Sequence, residues 1–97
     1  MRMMLKVQIP VEAGNAAIAS GGLPELLQTA MQQLQPEAAY FVTEDGLRTS
    51  YFFIDLEEPS QIVVVAEPLF QQMNAAVTFV PAMNVEDLLA GLSQLSG

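Results

Sequence analysis

The stretch from Ala38 to Leu56, AAYFVTEDGLRTSYFFIDL, decides the fold of this 97-residue chain. Ala38 to Thr43 and Leu47 to Leu56 are rich in Tyr, Phe, Val, Thr and Ile, residues that suit a pleated, half-buried surface. Between them lies Asp45-Gly46. Asp-Gly favours a type I′ turn, in which both central residues take positive φ. That turn sets the register. Glu44 faces Leu47, Val42 faces Thr49, Tyr40 faces Tyr51 and Ala38 faces Phe53. On the other face Thr43 meets Arg48, Phe41 meets Ser50 and Ala39 meets Phe52. Both faces carry aromatic rings, whereas a sheet face open to water is mostly polar. Both faces of the hairpin are therefore expected to be covered.

Upstream, Leu5, Val7, Ile9 and Val11 alternate with Met4, Lys6, Gln8 and Pro10. This period of two predicts a strand over Met3 to Val11, closing near Pro10. Glu12 to Gln35 reads as helical in two pieces. Glycine and proline are the poorest helix formers, so Gly21-Gly22 predicts a break and Pro24 a fresh start. Leu23, Leu26, Leu27, Ala30, Met31 and Leu34 fall at helical spacing. Pro36 restricts Gln35 and ends the helix.

Downstream, Glu57 to Met73 is ambiguous. Gln61 to Ala66 alone would pass as a buried strand. Ile62, Val65, Ala66, Leu69, Phe70 and Met73 fit a helical stripe, and Glu57 to Ser60 resembles a helix start. We read a helix, kinked or restarted at Pro68. Asn74 to Met83 reads as a fourth strand. Asn84 and Asp87 then form a variant capping box for a last helix, striped by Leu88, Leu89, Leu92 and Leu95.

The order is β-α-β-β-α-β followed by a helix. This predicts an α+β fold, a ferredoxin-like βαββαβ sandwich with an extra C-terminal helix, as a single domain over residues 1–97. Helices cover one sheet face in that pattern. The doubly apolar hairpin asks for a cover on the other, and the simplest is a second copy in a sheet-to-sheet homodimer. Composition agrees. Hydrophobic residues make up 52% of the chain and charged residues 14%, against about 25% charged in ordinary domains. So much apolar character in so small a chain asks for burial beyond one subunit.

Composition also excludes chemistry. With no Cys and no His, there are no disulfides, no thiolate or Ser-His-Asp catalysis, no Cys/His zinc site, and no haem held by His or Cys. Any metal would need oxygen ligands, and no cofactor is expected. Three basic residues, Arg2, Lys6 and Arg48, stand against eleven acidic ones, for a net charge of −8. Phosphate binding needs clustered Lys and Arg, so nucleic acid and anionic membranes are not expected partners. Lys6, Gln8 and Pro10 interrupt the start, and no apolar run approaches the ~20 residues of a membrane span. The expected location is the cytoplasm.

The chain resembles the dimeric α/β-barrel superfamily, in which two ferredoxin-like subunits pack sheet to sheet. Within it, the chain resembles a group of small bacterial proteins of unassigned function. The residues that carry the likeness are Pro36-Glu37-Ala38-Ala39-Tyr40-Phe41, Gly46-Leu47-Arg48-Thr49, Glu67-Pro68-Leu69-Phe70, Asn74-Ala75-Ala76-Val77 and Pro81-Ala82-Met83. The superfamily includes oxygenases, isomerases and haem-handling enzymes. Several use His or Trp in the barrel, and this chain has neither.

The candidate ligand-binding residues are Lys6, Gln8, Tyr40, Arg48 and Tyr51. Arg48 suits a ligand carboxylate, or an ion pair within the hairpin or across a dimer. Tyr40 and Tyr51 could line a pocket, one as a general acid, or form a plain cross-strand pair. Lys6 and Gln8 share the polar face of the first strand and need partners if that face is covered. Glu67 reads as a base or a solvated residue. Asp55, Glu57 and Glu58 read as a weak cation site or a solvated helix start. Gly21-Gly22 lacks the rest of a phosphate loop. The function expected is a homodimer that binds a small apolar ligand or serves a structural role. The alternative is a cofactor-free isomerase or monooxygenase acting in the barrel cavity.

Overall fold

The computed structural model describes residues 1–95. Its elements are β1 (Arg2–Ile9), α1 (Val11–Ser20), α2 (Gly22–Leu34), β2 (Ala38–Glu44), β3 (Leu47–Asp55), α3 (Gln61–Met73), β4 (Ala76–Pro81) and α4 (Val85–Ser93). The strands form one four-stranded antiparallel sheet in the order β2-β3-β1-β4. The arrangement is α+β and compatible with a ferredoxin-like fold.

The hairpin has the register that its turn dictates, from Glu44 opposite Leu47 to Ala38 opposite Phe53. Asp45 and Gly46 take φ of 56° and 73°, as a type I′ turn requires. In β1, Met3, Leu5, Val7 and Ile9 are buried while the alternating residues are half-buried. The buried set faces the helices and packs with Phe52, Ile54, Met73 and Ala75 in the core. Leu5, fully buried between Phe52 and Phe79, lies at its centre.

Several boundaries differ from the sequence reading. β1 stops at Ile9, and Pro10 becomes the N-cap of α1, so Val11 opens a helix instead of ending a strand. Proline has no N–H to offer a ladder and is well tolerated where a helix begins. The helix breaks at Gly21, in the left-handed region at φ 77°, and α2 starts at Gly22. Pro24 therefore sits in the first turn of α2, where its missing N–H would have had no partner. Gln35, before Pro36, closes α2 with φ 43°.

Residues 61–73 are one helix, running through Pro68. The Gln61 side chain accepts from the N–H groups of Glu57 and Glu58, at 2.7 and 3.0 Å, and ties down its approach. Pro68 cannot donate to the carbonyl of Val64. Val64 is 73% exposed, so water can take that bond. At the end of the chain, Asn84 and Asp87 form the expected capping box, with Asn84 Oδ1 accepting from the Asp87 N–H at 2.8 Å.

Two helices are under-packed. α2 leans on α1 and reaches the core through Leu23, Leu26 and Leu34, yet none of its residues is buried. α4 has no buried residue either, and its stripe of Leu88, Leu89 and Leu92 is exposed, as is Leu95 beyond it. Arg2 ties it to the sheet through Asp87 at 3.2 Å. The radius of gyration is 15.6 Å and the molecule is 57 Å long. A 100-residue domain averages about 13 Å, so the outline is elongated. Among the described residues no helix is long and apolar enough to cross a membrane.

Candidate functional site

The candidate residues fall at two places where polar groups meet apolar surroundings. They lie on opposite faces of the sheet.

The first is the face that the helices leave open. Period-two alternation places Met4, Lys6 and Gln8 of β1 there, with Thr49, Tyr51 and Phe53 of β3 and Tyr40 and Val42 of β2. Lys6 lies opposite Tyr51, which lies opposite Tyr40. Glu44 at the end of β2 forms an ion pair with Lys6 and accepts a hydrogen bond from the Tyr51 hydroxyl. The Lys6 ammonium sits 5.9 Å from the centre of the Tyr51 ring. The three groups adjust one another. The bond to Glu44, more than any other cause, raises the pKa of Lys6. Glu44 is lowered, first by Lys6 and then by Tyr51. Tyr51 is raised, first by its bond to Glu44 and then by partial burial. At neutral pH the cluster holds an ammonium, a carboxylate and a neutral phenol.

Gln8 lies beside this cluster, its amide 3.4 Å from both Asp45 and Thr49. Tyr40 is 62% exposed and adds only its ring to this face. The sequence places Glu44 at the end of the hairpin but not among the candidate site residues. Its partnership with Lys6 depends on how β1 pairs with β3, which no short turn announces.

The second place is a cavity of about 480 Å³ on the helix side, between α2 and the β1–β3–β2 part of the sheet. Leu23, Leu26, Leu27 and Ala30 of α2 form one wall. Leu5, Val7, Phe41 and Phe52 form the other, with the two rings edge to face at 5.9 Å. The cavity exists because α2 stands off the sheet. Thr43, Arg48, Thr49 and Ser50 are the polar residues among those that line it. Arg48 lies across α1, donating to the Val11 carbonyl at 3.4 Å and to Asn15 Oδ1 at 3.1 Å. Gly14 makes room for it, because a Cβ there would run into the guanidinium.

The structure thus divides the candidate residues. Lys6, Gln8, Tyr40 and Tyr51 share the open face, while Arg48 lines the cavity on the other side. The leucines of α2 read from the sequence as core, and only their stand-off from the sheet makes them a lining. Glu67 accepts from Gln71 at 3.3 Å in an exposed position. Among the described residues no three carboxylates come together to hold a metal ion.

No protein-family model, no curated protein and no solved structure matches the chain. What the structure supports is a small α+β domain with one four-stranded antiparallel sheet, compatible with a ferredoxin-like fold.

Proposed function

We propose that this chain is a cytoplasmic, ferredoxin-like protein that forms a sheet-to-sheet homodimer and binds a small apolar ligand. The observation that carries the ligand reading is the cavity of about 480 Å³ under α2, walled by leucine and phenylalanine. Ligand sites of about 300–1,000 Å³, mostly apolar with a few polar groups, are the common form. A neutral apolar dye such as Nile red should bind saturably, one per chain. Leu27→Glu places a carboxylate on the lining at a part-exposed position, and should abolish saturable binding. Binding that does not saturate, or ignores this substitution, overturns the reading.

The dimer reading draws on the open face. Its cation, carboxylate and phenol already satisfy one another, so covering them strands no unpaired charge. Around them Tyr40, Val42 and Val80 remain exposed. Light scattering should report a dimer at micromolar concentration and a monomer for Tyr40→Glu. A wild-type monomer refutes it.

The alternative reading is a cofactor-free isomerase or monooxygenase between two such faces, and the Lys6–Glu44–Tyr51 cluster argues against it. A lowered Glu44 is a weaker base and a raised Tyr51 a weaker acid. That reading requires a void beside the cluster in the dimer.

A further inference from the structure

Resting on the ligand-binding reading above, we infer that the ligand is an amphipathic monocarboxylate, its head on Arg48 and its single hydrocarbon chain under α2. Arg48 is a cation on the wall of an apolar cavity. Among the described residues it has no carboxylate within ion-pair distance, although Arg2 has two and Lys6 has one. A guanidinium carries five donors in a planar fork suited to a carboxylate. The protein engages this one with a long bond to Val11 and one bond to Asn15. No bond to Nε is made among the described residues.

The neighbours complete a polar end. Thr43 is the cross-strand partner of Arg48, and Ser50 follows two positions along β3 on the same face. Both line the cavity, and neither hydroxyl has a hydrogen-bond partner among the described residues. From that end the lining runs along Phe41, Phe52 and the α2 leucines with no further charge. A ligand matching this lining has one anionic end and a long apolar remainder.

Charge selects within that class. The chain carries −8 overall and offers the site a single cation. One guanidinium neutralises one carboxylate. A phosphate monoester or dicarboxylate would keep an unpaired charge in an apolar cavity, which is costly.

The test compares decanoate with 1-decanol, which has the same chain and no charge, by isothermal titration calorimetry on the full-length chain. A hydrogen-bonded charge contributes about 1.5–3 kcal/mol, or roughly ten- to a hundred-fold in affinity. Decanoate should bind the wild type tighter than decanol by at least about tenfold. Arg48→Met should remove that advantage, with the far-ultraviolet circular dichroism and cooperative unfolding of the variant showing that it is folded. Arg48→Lys keeps the charge without the fork and should retain part of the preference. Equal binding of both probes by the wild type, or an acid preference that survives Arg48→Met, overturns the inference and leaves the apolar-ligand reading standing. If neither probe binds the wild type, the reading beneath it falls as well.

Discussion

Gly14 offers a test in which the sign of the effect, as well as its size, is decided by one neighbour. Replacing a helix-interior glycine with alanine ordinarily stabilises by about 1 kcal/mol. Gly14 is buried within α1, and an added Cβ would collide with Nη1 of Arg48, with Cζ and Cδ following at 3.1 and 3.2 Å. Arg48 must then leave, abandoning Val11 and Asn15. Bonds from a charged donor contribute about 1.5–3 kcal/mol each. The long Val11 bond and partial exposure reduce the pair to roughly 2 kcal/mol together. Set against the helix gain, Gly14→Ala should destabilise by about 1 kcal/mol, lowering the melting temperature by about 4–8 °C. In an Arg48→Ala background the three atoms nearest the methyl group are gone, and the same substitution should stabilise by about 1 kcal/mol. The assay is thermal unfolding followed by circular dichroism at one fixed protein concentration, run as a double-mutant cycle. Gly14→Ala stabilising equally in both backgrounds would refute the placement of Arg48 across α1.

Two further outcomes follow from the open face and the turn. Glu44 has a lowered pKa, so its contribution is full above its ordinary value of about 4.3 and lost as pH falls through the lowered one. Lys6 and Tyr51 are raised, so theirs is full below about 10 and lost as pH rises through the raised values. Urea midpoints should therefore fall at both ends of the pH range, and Glu44→Gln should flatten both limbs; superimposable profiles for the two proteins would rule the cluster out. Gly46 has φ 73° with nothing within 4 Å of an added Cβ, so Gly46→Ala should cost only the left-handed penalty of about 1–2 kcal/mol in chemical denaturation.

What the sequence disclosed follows from the range of the interactions involved. The hairpin register was legible because two residues, Asp45 and Gly46, determine it locally. The breaks at Gly21 and Pro36 and the capping box at Asn84 are local for the same reason. The segment over 61–73 was ambiguous between helix and strand. The preference for helix rested on the apolar stripe against its β-branched residues, with a kink or restart expected where one helix runs through Pro68. The pairing of β1 with β3 joins residues about 40–50 positions apart, and no turn sets its register. The meeting of Glu44 with Lys6 was therefore hidden, though both residues were in plain view. The cavity was hidden more deeply. A helix with leucines at core spacing gives no sign of how far it will stand from the sheet, since that distance is set by everything beneath it. Arg48 was singled out for its isolation in the chain, and its isolation from carboxylates in space is a separate fact that only coordinates supply.

α2 hangs between two left-handed residues, Gly21 and Gln35, with none of its own residues buried. Segments with few buried apolar contacts open at a small fraction of the global unfolding free energy. Amide hydrogens of α2 should accordingly exchange through local opening, well before those of β1, whose alternate side chains form the core. This helix is also one wall of the cavity. The wall most free to move is thus the one a guest would have to pass, and entry needs only a helix displacement on the microsecond-to-millisecond scale. A bound guest should announce itself first as slowed exchange along α2, before any change reaches the sheet.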